Sequence, residues 1–329
     1  MSAGARLAPP RIGRLGCALA LAFAVLAEPA AANDRRDDRL AADGWAVDAR
    51  SSMDRVQLTI RREAQDMHWT SSFPIALAEL QGLSRGDLDG RRAPVRFELR
   101  RQAGVFHFDG SFTARQGEGR YRFAADPAFL AGLAHEGYAN VDANDVFTCA
   151  LQDVTLETIR GFKALGYDPI SLDDVKRLSI HGVTPEIVRA YRREGLRHLS
   201  VDELARLSIH GVRPDIVHDL ASLGYRDLEA DDLVRMAIHG ASPEYVRALQ
   251  RLNYRGIPAE SLIRMRIHGV TPEYVQALLG LGYTRVPDEE LIRMCIHGVT
   301  PEFIRRVEAR SADRPSVEEL IQLRLRSSG

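Results

Sequence analysis

The spacing of apolar and polar residues changes once along the chain. Between about residues 51 and 125, runs of the chain are apolar at every second position, which is typical of strands with one buried face. The alternating residues are Val56, Leu58 and Ile60, then Val95, Phe97 and Leu99, then Phe106, Phe108 and Phe112. The pattern predicts a small antiparallel β-domain over residues 51–125, with a short helix around residues 75–83.

The phrase Ile180-His181-Gly182-Val183-Thr184-Pro185-Glu186 returns almost unchanged four more times at intervals of 29 residues, and drifted copies extend the repeat array back to about residue 126. A fixed period in this range is typical of repeat architectures, in which similar units stack and each buries a face that it cannot bury alone. The histidines and the glycines that follow them mark the repeats. They are His181, His210, His239, His268 and His297, followed by Gly182, Gly211, Gly240, Gly269 and Gly298.

Each repeat is predicted to contain two short helices. Thr184 suits the N-cap of the first helix, and Pro185 suits its first position. Gly195 is placed to end this helix in a left-handed conformation, and Ser200 with Glu203 forms a capping box for the second helix. The predicted fold class is therefore α+β, a small antiparallel β-domain followed by an αα-solenoid of 29-residue helical-hairpin repeats over residues 126–329.

The amino-terminal residues are typical of a secretory signal. Three arginines precede an apolar run of eleven residues, 17–27, and small residues follow up to Ala32. A transmembrane helix needs about 20 apolar residues, so this run is too short to span a bilayer. We expect cleavage after Ala32, removal of residues 1–32, and a periplasmic or secreted mature chain without a transmembrane segment. Residues 33–50 begin with mixed charges and are predicted to form a flexible leader.

Composition and motifs argue against several functions. The formal net charge is -1, which does not favour nucleic-acid binding. The chain has no zinc-helix motif, no paired Cys-x-x-Cys and no nucleophile elbow. We therefore expect no enzyme activity, no catalytic residue, no metal and no cofactor. Cys149 and Cys295 lie five repeats apart, too far to form a disulfide with each other.

The repeated histidines do not predict a metal site. Zinc needs several ligands at about 2.0–2.3 Å, whereas equivalent atoms of stacked repeats are about 10 Å apart. Each histidine precedes a terminating glycine, so we interpret these histidines and glycines as structural caps. The histidine rings are expected to hydrogen-bond helix carbonyls or the next repeat.

An arginine lies four residues before each histidine, and an acid lies four residues before each arginine. This acid-first order favours ion pairs within one helix and predicts a solvated, salt-bridged helix face. The arginines are Arg177, Arg206, Arg235, Arg264 and Arg293, and their acids are Asp173, Asp202, Asp231, Glu260 and Glu289.

A second set of arginines follows the first helix of the repeats. These positions vary among repeats, and they could form a basic stripe along one edge of the solenoid, suited to acidic protein segments or anionic envelope polymers. A merely solvated edge is the alternative. The candidate partner-binding residues are Arg192, Arg193, Arg197, Arg226, Arg251, Arg255 and Arg285.

Aromatic residues are concentrated in the amino-terminal half, which contains both tryptophans, Trp45 and Trp69. They favour an aromatic core for a small sheet, and an aromatic-lined ligand pocket is the other interpretation.

Together, strands such as Val95 to Leu99 and tandem His-Gly-Val-Thr-Pro-Glu-Phe units such as His297 to Phe303 resemble a group of bacterial envelope proteins whose activity is not established. They are also similar to the extracytoplasmic tail of some β-lactam-sensor-like membrane zinc peptidases. The chain has neither the membrane helices nor the zinc motif of such peptidases, so the resemblance implies an envelope module without catalytic residues.

The leading hypothesis is a non-catalytic scaffold that binds a protein partner, acidic or membrane-bound, along the lateral surface of the solenoid. The alternative hypothesis is an envelope sensor, in which the β-domain binds a small molecule or glycan and the solenoid contacts a membrane partner.

Overall fold

The computed structural model of the chain describes residues 43–327, apart from residues 53, 65, 66, 90 and 312. The predicted signal peptide, its cleavage site after Ala32 and residues 33–42 of the predicted leader lie outside the described residues.

Seven antiparallel strands form one sheet in the first part of the described chain. The strands are β1 Asp43–Asp48, β2 Arg55–Ala64, β3 Met67–Ala76, β4 Leu80–Gln81, β5 Arg91–Arg101, β6 Gly104–Thr113 and β7 Gln116–Ala125. Their order across the sheet is β3-β2-β1-β7-β6-β5-β4. The first strand thus lies inside the sheet, paired with β2 on one side and with β7 on the other.

Two local predictions are wrong. Residues 43–48 of the predicted leader form β1, because Trp45 and Val47 are buried by strands that come later in the chain. The helix expected around residues 75–83 is a 3-10 turn over Leu77–Glu79, since β3 continues to Ala76 to pair with β2. A single turn of helix, α1 Arg85–Leu88, follows.

An aromatic cluster fills the inner face of the sheet. The ring of Trp45 lies edge-on to Phe97 at 4.9 Å and to Phe108 at 6.0 Å, and its indole N–H donates to the carbonyl of Asp109. Phe106 and Phe112 are also fully buried. The interpretation of these aromatic residues as the core of a small sheet is therefore confirmed.

The rest of the described chain forms helical hairpins, which confirms the predicted fold class. The helices are α2 Pro127–His135, α3 Ala143–Leu151, α4 Leu156–Ala164, α5 Leu172–Ile180, α6 Pro185–Arg193, α7 Val201–Ile209, α8 Pro214–Ser222, α9 Ala230–His239, α10 Pro243–Arg251, α11 Ala259–Ile267, α12 Pro272–Gly280, α13 Asp288–Ile296, α14 Pro301–Glu308 and α15 Val317–Arg326. Even-numbered helices are the first helices of the hairpins and odd-numbered helices are the second. No described helix is long and apolar enough to cross a bilayer.

The predicted caps are present. The hydroxyl of Thr184 accepts from the amide of Ile187, and Ser200 forms the capping box with Glu203. Gly195 has φ +102°, and Gly211 has φ +69°, so both hairpin turns use the left-handed region that glycine tolerates.

Helices of equal rank stack on one another, first against first and second against second. Tyrosines after the first helices connect neighbouring hairpins, because each hydroxyl donates to a carbonyl 32 residues further on. The pairs are Tyr138 to Ile170 at 2.9 Å, Tyr167 to Leu199 at 2.7 Å, Tyr225 to Ile257 at 2.6 Å and Tyr283 to Pro315 at 2.8 Å. These bonds satisfy carbonyls just before the second helix of the next hairpin.

The first hairpin packs against the sheet. Phe147 of α3 lies 5.4 Å from Phe106 and 5.4 Å from Phe123, ring centre to ring centre. At the turn between β5 and β6, the side-chain oxygen of Gln102 accepts from the amide of Leu156 at 2.7 Å. The sheet therefore covers the end of the helical stack, where a preceding hairpin would otherwise lie.

The buried tyrosines predict a loss of stability in alkali. Burial raises the pKa of Tyr191 to about 12, and its hydroxyl donates to the carbonyl of Val212. In the unfolded chain the pKa is about 10, so between about pH 10 and 12 the unfolded state alone loses the proton, and the free energy of unfolding falls by up to about 1.4 kcal/mol per pH unit. In Tyr191→Phe, the free energy of unfolding should fall less steeply with pH, as measured by urea unfolding from pH 8 to 11.

Val188→Ala is the matched control, because Val188 is buried in the same helix and does not titrate. It should lower the free energy of unfolding equally at every pH. Parallel pH curves for Tyr191→Phe and the unmodified chain would contradict the prediction.

Candidate interaction surfaces of the helical array

The structure leaves most of the predicted arginine edge exposed. Six of its residues, Arg193, Arg197, Arg226, Arg251, Arg255 and Arg285, are exposed, and no described carboxylate pairs with any of them. Arg192 differs, since its guanidinium donates to the carbonyl of Leu165 at 2.5 Å and lies 5.9 Å from the ring centre of Tyr167. Arg192 therefore helps to hold two hairpins together.

The ion pairs of the second helices connect neighbouring hairpins, and the predicted pairing with the acid four residues earlier is wrong. Within a helix, only Arg177 and Arg235 of these described arginines also pair with an acid, Asp174 and Asp232, three residues earlier. Each arginine binds the acid 25 residues further on, in the first turn of the next second helix. The pairs are Arg177–Asp202 at 2.6 Å, Arg206–Asp231 at 2.6 Å, Arg235–Glu260 at 2.5 Å, Arg264–Glu289, and Arg293–Glu318 at 2.7 Å.

This pairing follows from helix geometry. Side chains of a helix lean toward its N-terminus, so a long arginine reaches the first turn of a parallel neighbour. The acid within its own helix is already bound by the arginine of the preceding hairpin, as Asp231 is by Arg206. The result is a polar row that crosses the second helices.

An apolar row lies beside these ion pairs. Most of the exposed large apolar residues of the described chain occupy one repeat position, the residue before the repeated histidine or, in the last repeat, before Arg326, which takes the place of the histidine. They are Ile180 at 61% exposure, Ile209 at 50%, Ile238 at 54%, Ile267 at 53%, Ile296 at 53% and Leu325 at 48%. We call this set the isoleucine row. Single exposed apolar residues are ordinary, but an aligned set is typical of a binding surface.

Helix periodicity explains why these residues face solvent. Leu204 and Leu207 of α7 are fully buried and define its inner face. Ile209 follows Leu207 by two residues, which is about 200° around a helix. Sequence reasoning missed the isoleucine row, although this phase difference was readable from the repeated phrase.

The same position is covered in the first hairpin. Leu151 takes the place of the isoleucine there and is only 7% exposed. Close by, Arg101 of β5 pairs with Asp153 at 3.5 Å. The repeat position is therefore buried in the hairpin nearest the sheet.

The repeated histidines end the second helices through their backbones. The amide of His181 donates to the carbonyl of Arg177, and Gly182 follows with φ +69°. None of the five rings forms a hydrogen bond with another described residue, so the ring contacts expected for these caps are not found. Burial, together with the nearby Arg177, lowers the pKa of His181 below its usual range.

A small cleft lies between the sheet and the start of α3. It has a volume of about 260 Å³, and Asp43, Arg62, Tyr121, Phe123 and Phe147 line it. The hydroxyl of Tyr121 is buried and has no hydrogen-bond partner in the described part of the chain, and burial raises its pKa. The guanidinium of Arg62 lies 4.6 Å from the ring centre of Phe147.

Residues suited to metal chemistry are not brought together. The described residues contain no cluster of three or more His, Cys, Asp or Glu side chains that could hold a metal ion. Cys149 and Cys295 are both free, and burial raises the pKa of each thiol, to about 12 for Cys149 and about 11 for Cys295.

No protein-family model matches the chain, and a search of the curated proteins finds no significant match.

The pairing between hairpins predicts which acid is coupled to each arginine. In double-mutant cycles, Arg235→Ala and Glu260→Ala should show a coupling of about 0.2–1 kcal/mol in the free energy of unfolding, the usual range for exposed ion pairs. Arg235→Ala and Asp231→Ala should show almost none, although these residues share one helix. Urea unfolding measures both cycles, and a larger coupling to Asp231 would contradict the structure.

Proposed function

We propose that the chain is a non-catalytic scaffold that binds a protein partner along the lateral surface of its helical array. The isoleucine row carries this proposal. It places a half-exposed apolar side chain on the second helix of each hairpin from α5 to α15. Burying such a side chain contributes roughly 1.5–3 kcal/mol when it leaves water completely, so several aligned rungs can supply specific affinity.

The rigidity of the array supports the same function. Neighbouring hairpins are joined by tyrosine bonds and ion pairs, as between Tyr225 and Ile257 or between Arg235 and Glu260. A surface that is ordered before binding costs little conformational entropy when a partner docks.

We place this scaffold in the bacterial envelope. The support is the predicted signal over residues 1–32 and the resemblance of the repeats to envelope proteins. The arginine edge is a second candidate contact on the same array, since its six exposed arginines lack described acidic partners.

Site-specific photo-crosslinking in bacterial cells tests the scaffold. A photoreactive residue replaces Ile238 on the isoleucine row, Arg251 on the arginine edge, or Gln276, an exposed residue of α12 outside both surfaces. We expect one discrete adduct with a single partner protein from Ile238 and none from Gln276, because only the isoleucine row should lie within reach of the bound protein.

An adduct from Arg251 alone would support the scaffold and assign the partner to the arginine edge. Equal adducts from all three positions would indicate nonspecific collisions, and no adduct from any of them would contradict the scaffold.

Ligand sensing by the β-domain is the second candidate, and the cleft beside Tyr121 favours it. The cleft offers one cationic group, one carboxylate, a phenol hydroxyl that no described residue hydrogen-bonds and two phenylalanine rings. Such a mixture suits a small ring compound or sugar with a few polar groups.

Tryptophan fluorescence tests this candidate. Trp69 lies 6.0 Å from Phe147, which lines the cleft, whereas Trp45 is buried in the core. Trp45→Phe leaves Trp69 as the sole reporter, and N-acetylglucosamine oligomers and small aromatic carboxylates are the probes. Binding should shift its emission and should weaken when Arg62→Gln is added. The same response with and without Arg62→Gln, or no response to any probe, would contradict a site in this cleft.

A further inference from the structure

We propose that the isoleucine row docks a basic amphipathic helix that carries an apolar residue at every seventh position. This inference rests on the proposed scaffold function and names the chemistry of the partner. It is argued from the spacing of the row, from the charges that flank it and from its continuity with a repeat position that is buried in the folded chain.

The spacing of the row suits a helix laid across the array. Packed helices lie about 8–10 Å apart, which sets the distance between successive isoleucines. Seven residues of an α-helix rise about 10.5 Å and return nearly to the same side, so one apolar residue per heptad meets one rung. Residues on one face of a β-strand recur every 6.6 Å or so, or about 13 Å for every second one, and do not keep this register.

Charge beside the row favours a basic partner. Three of the second helices along the row, α7, α9 and α13, carry more acids than lysines and arginines. Their acids are Asp202 and Glu203, Asp231 and Asp232, and Asp288, Glu289 and Glu290, against one arginine each, Arg206, Arg235 and Arg293. A surplus of negative charge therefore remains on these three helices.

The C-terminal side of the isoleucine row also favours basic side chains of a partner. The second helices end on this side, in turns such as the one formed by His210 and Gly211. The C-terminus of a helix carries partial negative charge, and a stack of parallel helices aligns these ends along one edge. Two basic side chains near this edge, Arg266 and Arg324, donate to the carbonyls of His239 and Gly298. Lysine or arginine side chains of the partner would therefore be stabilised on both flanks.

The same repeat position is buried at the end of the array that carries the sheet. Leu151 of α3 is 7% exposed, and Arg101 of β5 pairs with Asp153 two residues further on, while Ile180 on the next second helix is 61% exposed. The row therefore begins beside a repeat position that is buried in the folded chain.

A designed peptide tests the inference with the full chain. The probe is a fluorescent helix of four heptads, about 28 residues, with leucine at the first position of each heptad and lysine on both flanks. Fluorescence anisotropy should show binding in the micromolar range at low salt, weakening as salt is added. A peptide with glutamate in place of lysine, and one of the same composition in scrambled order, should bind at least tenfold more weakly.

Variants of the chain locate the contact. Ile209→Ser, Ile238→Ser and Ile267→Ser together should weaken binding at least tenfold, while circular dichroism melting stays nearly unchanged because these side chains are exposed. Asp232→Asn with Glu290→Gln should weaken binding and reduce its salt dependence. Alanine at Arg226, Arg251 and Arg255 on the arginine edge is the matched control and should not weaken it.

Three results would overturn the inference: no binding of the basic peptide up to about 100 μM, equal binding of the acidic peptide, or unchanged binding after the isoleucine substitutions. If an adduct still forms at Ile238 in cells under any of these results, the scaffold stands and only the partner class is wrong. If neither the peptide nor the crosslinker finds a partner, the scaffold fails as well.

Discussion

The contact between one helical hairpin and the next is the constraint on which the rest of the structure depends. A helix of nine residues is too short to be stable alone, and each hairpin completes its core only against its neighbours. Buried side chains such as Leu204, Leu233 and Leu262 recur at the same position in successive hairpins. The array is therefore a set of equivalent interfaces, and it keeps a residue position aligned from one end to the other.

This alignment converts a repeated sequence into continuous surfaces. The polar residues of the second helices form ion pairs across hairpins, so their charges are arranged as a row rather than as separate helix faces. The residue before each histidine forms a second, apolar row, because it lies on the side of the helix opposite the core. A partner that binds such a surface must match the spacing of the repeats, which matters more than its contact with any single side chain. The spacing of the isoleucine row therefore restricts which kind of secondary structure can bind it.

The sheet solves the problem of the exposed end. The first hairpin has no preceding hairpin, and Phe147 of α3 packs instead among aromatic residues of the sheet, including Phe106 and Phe123. The turn that holds Gln102 adds a polar contact to the start of α4. The small cleft beside Tyr121 lies at this same junction, where two unlike architectures meet and do not fill the space completely.

The sequence by itself determined the repeat, the helix caps and the class of fold, because these depend on local physics. Helix ends need residues such as Thr184 and Gly195 at set positions, and strands with one wet face need alternation, as in Val56 to Ile60. Local signals failed where long-range pairing decides. Strand β1 could not be recognised in the sequence because it is paired with strands that come later in the chain, which bury Trp45. The end of β3 at Ala76 was predicted as part of a helix because its pairing with β2 is not visible in the local sequence.

Only the tertiary structure decided which residues form a surface. The sequence placed an acid four residues before Arg235, yet the arginine binds Glu260 of the next hairpin, because two parallel helices bring that carboxylate closer to its leaning side chain. The predicted arginine edge was identified by residue type, and the structure shows it exposed except at Arg192. Hydrophobicity alone does not separate the isoleucine row from the core, and the helix period separates the two only as opposite faces of one helix. Packing of the hairpins decides that the outer face stays exposed and that its isoleucines line up across the array.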